Sequence, residues 1–186
     1  MTLRLFVAVV GMPASGKSTI AHQLAPALGL PLLAKDTNKH GLMDALGDPA
    51  EVEASRDLGR AAVHALLALA ADNTGAVLDS TWHPYTAPLL GALPAPVVEV
   101  RCHVPVAVAR QRYLARMLTC RTGDLQAQRP DSELWAAVHR EPLGVGPSSE
   151  STPTGPSTSL GSSPRSRPTS ETSARRRSIQ VRTAHE

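Results

Sequence analysis

Short apolar runs alternate with stretches of helical hydrophobic periodicity along the first 118 residues of the chain. The apolar runs predict buried strands over residues 3–10, 30–34, 76–78 and 96–104. The periodic stretches predict helices over residues 17–28, 39–46, 54–72 and 105–118, followed by a short helix over residues 132–139. Strands that alternate with helices are typical of a parallel, doubly wound sheet, so we expect an α/β fold.

Composition removes several classes of function. Residues 1–146 carry 13 basic and 13 acidic side chains, so the net charge of +3 belongs to the rest of the chain. A neutral folded part with few aromatic residues disfavours a nucleic-acid partner. The cysteines, Cys102 and Cys120, suit neither a disulfide framework nor a zinc site, and a cytoplasmic location fits best. The apolar stretch 61–71 is too short to span a bilayer, so no membrane partner is expected.

A glycine-rich motif follows the first predicted strand and opens the first predicted helix. It matches GxxxxGK[ST] at every position and is followed by Thr19; its residues are Gly11, Met12, Pro13, Ala14, Ser15, Gly16, Lys17 and Ser18. The glycines allow the backbone N–H groups to turn inward around an anion. Lys17 brings a positive charge to the terminal phosphates, and Ser18 offers an oxygen to Mg²⁺. The motif predicts a site for ATP and Mg²⁺, although GTP is not excluded because no motif that reads the base is visible.

The chain resembles the small P-loop kinase-like proteins, many of which are named AAA-family ATPases. It is similar more distantly to chloramphenicol phosphotransferases, zeta toxins and polynucleotide kinase domains. The resemblance runs from about residue 5 to 147 and rests on four segments: VVGMPASGKSTIAHQLA, LPLLAKDTNKHGLMDALG, AVLDSTWHP and VEVRCHVPVAVARQRYLAR. It implies a P-loop NTPase fold, kinase-like, with a doubly wound parallel sheet of four to five strands. It also implies transfer of the ATP γ-phosphoryl group to a small hydroxylated acceptor.

Two aspartates follow predicted strands, where open α/β folds bind ligands. Asp36 ends the second strand, and related kinases hold an acceptor-binding aspartate at the corresponding place, so we expect it to be the general base. Its alternative role is to cap the next helix. Asp79 follows the third strand like a short Walker B segment and is expected to hold Mg²⁺ through water, with a capping or turn role as the alternative.

Phosphoryl transfer also needs cations near the transferred group. Arg112 and Arg116 lie one turn apart on the last long predicted helix, and Arg121 follows it, so we expect at least one of them to close over ATP. Arg110 is a weaker candidate, and the alternative for all four is a solvated helix face. The roles of five other residues stay open. Trp82, His83 and Tyr85 either border an acceptor pocket or belong to a packed loop, and Lys35 and Lys39 either bind an anionic substrate or lie exposed at a helix start.

The composition changes abruptly at Pro147. Serine, threonine, proline, glycine and arginine make up 30 of the last 40 residues, which bury too little apolar surface to offset the entropy lost on ordering. We therefore expect a folded domain over residues 1–146 and a disordered tail over residues 147–186. Related kinases continue into a fifth strand here, and we expect that strand to be missing in its usual form. The tail is either a regulatory segment or the product of a frame change.

The sequence thus predicts a Mg²⁺-dependent kinase, a monomer or dimer, whose partners are ATP and an unidentified small molecule. Two enzymatic alternatives remain: an ATPase or NTP-binding switch without an acceptor, and a kinase for 5′-hydroxyl ends of polynucleotides. A third alternative is an interaction protein that binds partners through its basic tail.

Overall fold

The computed structural model describes residues 4–118, 125, 128–136, 139 and 141–152. The strands are β1 (Phe6–Val10), β2 (Leu32–Ala34), β3 (Ala76–Asp79), β4 (Val97–Cys102) and β5 (Ser148–Ser151). The α-helices are α1 (Lys17–Leu28), α2 (Lys35–Leu46), α3 (Val52–Ala71), α4 (Ala87–Gly91), α5 (Val106–Met117) and α6 (Asp131–Leu134). A 3₁₀ turn, Pro84–Thr86, precedes α4.

The five strands form one parallel sheet in the order β2-β3-β1-β4-β5. The central strand β1 pairs with β3 on one side and β4 on the other, and Val9 lies opposite Asp79 in this register. Because parallel strands end at the same edge, the loop after β1 and the end of β3 are neighbours. The sequence prediction of a doubly wound kinase-like sheet is confirmed, with five strands.

Strand β1 is buried on both faces of the sheet, as its unbroken apolar run predicts. Its alternate residues Phe6, Ala8 and Val10 pack with apolar side chains of α3 and α4. Val7 and Val9 face the opposite side and pack with Ala21 and Ala25 of α1. This sandwich of helices holds the loop between β1 and α1 in a fixed position at the sheet edge.

The expectation of a missing fifth strand is wrong. Strand β5 pairs in parallel with β4 and lies beyond residue 146, the predicted end of the folded domain. All four of its residues are polar, and it is held by backbone hydrogen bonds such as Glu99 N to Pro147 O (2.9 Å) and His103 N to Ser151 O (3.0 Å). Apolar periodicity could not reveal it because an exposed edge strand needs no apolar face. Residues 153–186 of the predicted tail lie outside the described residues.

Further differences concern helices. The last predicted helix, over residues 132–139, is the shorter α6, which ends at Leu134. Helix α2 begins at Lys35, four residues before the start that the sequence indicates, so the polar residues after β2 belong to its first turn. The 3₁₀ turn and α4 were not predicted, since the segment is short and contains two prolines. Within the described part of the chain, no helix combines the length and apolar character that crossing a bilayer requires.

Candidate active site

The glycine-rich loop connects β1 to α1 through backbone conformations that favour glycine. Gly11 has φ +149° and Gly16 has φ +96°. A Cβ atom on Gly11 would lie only 2.7 Å from the carbonyl oxygen of Cys102 and 2.7 Å from Ser15 Oγ, so no side chain fits there. Ser15 N donates to Met12 O (3.2 Å) and closes the turn. The loop therefore curls back at the N-terminus of α1, where N–H groups can bind phosphate oxygens.

Lys17, the first residue of α1, lies inside this loop. Its side chain is buried, and Nζ donates a hydrogen bond to Met12 O at 2.7 Å. Burial lowers the pKa of Lys17 to about 8, although the nearby Asp79 carboxylate acts to raise it. The ammonium group is thus poorly solvated, with a carbonyl of the loop as its hydrogen-bond acceptor. Negatively charged phosphate oxygens beside it would stabilise its charged form.

We expect the protein to take up protons when it binds ATP near pH 8. About half of the Lys17 side chains are neutral at that pH, and phosphate oxygens beside the amine raise its pKa again. Calorimetric titration of Mg·ATP in two buffers with different ionisation enthalpies measures the uptake. We expect about half a proton per ATP at pH 8 and nearly none at about pH 6. Equal heats in both buffers at pH 8 would show that Lys17 does not meet the phosphates.

Ser18 and Asp79 meet beside the loop. Asp79 ends β3 and is mostly buried, whereas Ser18 is exposed at the start of α1. Burial raises the pKa of Asp79, and a hydrogen bond with the Ser18 side chain acts to lower it. Among the described residues, no group of three or more His, Cys, Asp or Glu side chains could hold a metal ion. A hydroxyl and one carboxylate fit a Mg²⁺ ion whose other ligands are water and phosphate oxygens.

Asp36 lies in the first turn of α2 and not at the end of a strand. The N-cap residue of this helix is Ala34, with no side-chain capping hydrogen bond, so the capping alternative for Asp36 is wrong. Its side chain is 57% exposed, and the neighbouring Lys35 Nζ lies 2.6 Å from Oδ1. The position of the carboxyl within the cavity wall removes part of its hydration and acts to raise its pKa, but Lys35 outweighs that effect and lowers the pKa to about 2. Asp36 is therefore ionised throughout the physiological pH range.

A cavity of about 230 Å³ brings the predicted residues together. Its wall includes Pro13, Ala14, Lys17, Ser18, Asp36, Asp79 and Arg116. The charges of Asp79, Arg116 and Asp36 all affect the pKa of Lys17, which places the four groups within electrostatic range of one another. The cavity therefore joins the phosphate loop to the carboxylate expected to act on the acceptor.

The structure separates the arginines of α5. Arg116 lines the cavity, and its guanidinium group lies 5.8 Å from the ring centroid of Tyr113. Arg112 is half-buried on the same helix, and it is not one of the described residues that line the cavity. Arg110 forms an ion pair with Asp131 (2.8 Å) and packs on Trp135. Arg121 and Cys120 lie outside the described residues.

The loop after β3 contributes one aromatic wall. His83 and Tyr85 line the cavity, with ring centroids 5.8 Å apart, and His139 meets His83 edge-on at 5.1 Å. Burial lowers the pKa of His83 to about 4, and the neighbouring His139 acts in the same direction, so His83 is neutral at pH 7. Trp82 instead packs in the core and donates from Nε1 to Val9 O (3.1 Å). Only part of this aromatic loop therefore borders the cavity.

The two lysines near Asp36 have different environments. Lys35 lines the cavity, whereas Lys39 is buried between α2 and α3 and donates to Ser55 Oγ at 2.9 Å. Another part of the cavity wall was not anticipated from the sequence. It includes Arg56 and Arg60 of α3 together with Arg129, Glu133 and Leu134 of the segment around α6. A possible signal was the two arginines at i and i+4 on one face of α3.

Comparisons with known proteins agree with this architecture. Residues 6–137 match an AAA domain family. The chain is 27% identical to a candidate kinase from Chloroflexus aurantiacus J-10-fl, with a TM-score of 0.66, covering 82% of this chain and 86% of that one. The shikimate kinase of Acinetobacter baumannii is 20% identical, with a TM-score of 0.55 and coverage of 83% and 86%. The APS kinase CysC of Mycobacterium tuberculosis is 19% identical, with a TM-score of 0.52 and coverage of 81% and 89%.

A comparison with curated proteins finds no match. The similarity to the shikimate kinase and the APS kinase shows the fold alone. The match to the family spans most of the chain. Fold and phosphate loop together define a small P-loop kinase-like protein, as the sequence predicted. The chain belongs to the AAA domain family.

Proposed function

We propose that this protein is a Mg²⁺-dependent kinase that transfers the γ-phosphoryl group of ATP to a hydroxyl group of a small molecule. The observation that carries the proposal is the single cavity in which the phosphate loop and Lys17 share a wall with the Asp36 carboxylate. A site for ATP hydrolysis alone does not require a second charged compartment of this kind. The similarity to a candidate kinase at 27% identity supports the same reaction class.

Binding and orientation follow from the residues of the loop. The N–H groups between Gly11 and Ser18 and the Lys17 ammonium would bind the β- and γ-phosphates. Ser18, with Asp79 through water, would hold Mg²⁺, which neutralises phosphate charge when bound. Arg116 lines the same cavity, and a planar guanidinium can bind two phosphate oxygens at once. Lys17 and Arg116 thus provide positive charge where charge develops during transfer.

Asp36 would receive the acceptor. Its ionised carboxylate accepts a hydrogen bond from the acceptor hydroxyl and then takes its proton. The hydroxyl oxygen forms a bond to the γ-phosphorus while the bond from that phosphorus to the bridging oxygen of ADP breaks, and ADP leaves. A carboxylate with a pKa of about 2 is a weak base, so its main contribution is to orient the hydroxyl in line with the bond that breaks.

The test is an acceptor screen with γ-labelled ATP, in which transfer of label and release of ADP are both measured. A kinase transfers label to a particular acceptor and releases ADP faster in its presence. Release of ADP that no acceptor accelerates would instead indicate an ATPase. Label on 5′-hydroxyl oligonucleotides, and on no small molecule, would indicate a polynucleotide kinase.

Once an acceptor is found, Asp36→Asn is expected to lower kcat about 10²-fold while the Kd for Mg·ATP changes less than about twofold. The reason is that asparagine is neutral and presents one acceptor oxygen and one NH₂ donor, so it orients the acceptor hydroxyl less well than a carboxylate does and cannot take its proton. Asp44→Asn, an exposed change on the same helix outside the cavity wall, is the matched control and should leave kcat unchanged. An unchanged kcat in Asp36→Asn would remove Asp36 from the reaction.

A further inference from the structure

In the cavity wall, one carboxylate lies between two arginines. Glu133 Oε2 accepts from Arg56 Nη2 at 2.6 Å, and Glu133 Oε1 accepts from Arg129 Nη1 at 3.1 Å. Arg56 comes from α3 and Arg129 from the segment before α6, 73 positions later in the chain. All three side chains line the cavity that contains Lys17 and Asp36. We call Arg56, Glu133 and Arg129 the arginine clamp.

The described wall of the cavity carries more positive than negative charge. Six cationic side chains face only three carboxylates there, and the cations are Lys17, Lys35, Arg56, Arg60, Arg116 and Arg129. His83 adds no charge at pH 7 because burial lowers its pKa. Lys17 and Arg116 lie at the phosphate end, and Lys35 is paired with Asp36. Carboxylates outside the wall neutralise part of this charge: Arg60 pairs with Glu53 and Asp57, and Arg56 is shared between Glu53 (2.9 Å) and Glu133. Arg129 pairs with Glu133, and its Nε atom, which has no partner among the described residues, is left to bind a ligand.

The clamp has the form of a binding site for an oxyanion. A guanidinium group on each side of one carboxylate, each bound to a different oxygen, is the arrangement that recognises carboxylates and phosphates. The Glu133 side chain is 28% exposed, Arg56 32% and Arg129 19%. These ion pairs are partly buried, so an anion can replace Glu133 only if its own oxygens bind both guanidinium groups, as a carboxylate or phosphate can. The Arg129 Nε atom is buried and has no hydrogen-bond partner among the described residues.

We infer that the acceptor carries, besides its hydroxyl group, an anionic oxygen group, carboxylate or phosphate, that binds Arg56 and Arg129 in place of Glu133. The inference rests on the proposed function and names the acceptor class of that site. Arg56 and Arg129 then determine specificity by holding the anionic end, while the hydroxyl end lies at Asp36. Glu133 acts as an internal competitor that occupies the arginines until the acceptor binds.

The alternative is that Glu133 only fastens α6 to α3. The two roles predict opposite effects of Glu133→Gln. As an internal competitor, Glu133 weakens binding of an anion, so its neutral analogue binds the anion more tightly. As a fastener, Glu133 supports the wall, so its loss weakens binding of every ligand there and lowers the melting temperature.

The experiment measures binding without turnover, so that it does not depend on kinase activity. The phosphate loop is saturated with Mg²⁺ and a non-hydrolysable ATP analogue, and three probes with one carbon skeleton are titrated: glycerol, glycerate and glycerol 3-phosphate. We expect glycerate or glycerol 3-phosphate to bind at least about tenfold more tightly than glycerol. The preferred probe identifies the anion as carboxylate or phosphate.

The variants then test the clamp itself. Arg129→Gln and Arg56→Gln should each remove the preference for the anionic probe, and Glu133→Gln should tighten anion binding about threefold or more. Arg110→Gln is the matched control because it breaks another ion pair to α6, with Asp131, outside the cavity wall. It should leave the preference unchanged.

The inference is overturned if the three probes bind equally or not at all, or if Arg110→Gln has the same effect as Arg129→Gln. It is also overturned if Glu133→Gln weakens binding of the anionic probes. Anion binding at the clamp without transfer of label in the acceptor screen would contradict the proposed kinase activity but leave the anion site in place. The two failures are thus distinguishable.

Discussion

Lys17→Met is expected to abolish productive ATP binding while the fold is retained. The Lys17 ammonium is the cation enclosed by the phosphate loop, and methionine fills its space without charge. Removing one group that stabilises the charge developing in the transition state lowers the rate about 10²- to 10³-fold. We expect the larger decrease here, because Lys17 would also bind the phosphates of ATP before transfer. The measurements are the Kd for Mg·ATP by calorimetry and kcat/KM with the acceptor that the screen identifies.

Stability provides the control for this variant. Because burial lowers the pKa of Lys17 from 10.5 to about 8, the folded protein binds this proton more weakly than the unfolded chain does. Burying the charged side chain therefore lowers the free energy of unfolding by its full amount below about pH 8. This loss of stability becomes smaller as the pH rises from about 8 to about 10.5. Lys17→Met should be at least as stable as the wild type at pH 7. A variant that binds ATP normally, or that unfolds at pH 7, would contradict this account of Lys17.

Glu99→Leu is expected to lower the free energy of unfolding by about 3 kcal/mol, because two backbone N–H groups lose a buried acceptor. The Glu99 side chain lies on β4 and is fully buried. Its Oε2 accepts from Leu143 N at 2.8 Å and its Oε1 from Val145 N at 3.0 Å. Glu99 thereby holds the segment that leads into β5. Urea unfolding measures the loss, and amide hydrogen exchange over residues 143–151 locates it.

Two variants calibrate this result. Glu99→Gln retains one oxygen acceptor in the same shape and should lose about half as much stability. Glu150→Ala removes the exposed ion pair between β5 and Arg101 (3.2 Å) and should cost no more than about 0.5 kcal/mol. If Glu99→Leu is as stable as the wild type, or if exchange over residues 143–151 stays slow, Glu99 does not anchor β5.

The parts of the site that lie close together in the chain were predictable. A buried apolar run, a glycine loop and an amphipathic helix occur in immediate succession, so the sequence alone located β1, the phosphate loop and the bounds of α1 at Lys17–Leu28. The position of Asp79 at the end of β3 followed from the same reasoning. In each case a short segment contains both the structural signal and the functional residue.

The start of α2 was less predictable, because polar residues after a strand can continue as loop or enter a helix. Lys35 and Asp36 enter the helix, which places Asp36 in its first turn. Hydrophobic periodicity also could not distinguish Arg112 from Arg116. Only the packing of α5 determines that Arg116 reaches the cavity.

The sequence by itself therefore determined the fold class and the position of the glycine-rich loop that we propose binds phosphate, because local hydrophobic pattern and backbone requirements specify both. Only the tertiary structure revealed β5, whose polar residues are held by backbone pairing with β4 and by the anchoring of the preceding segment on Glu99. Only the tertiary structure, likewise, brought Arg56 to Glu133 across 77 positions. Strand pairing and ion pairs between distant segments depend on which segments the folded backbone brings together. A local sequence pattern does not predict those neighbours.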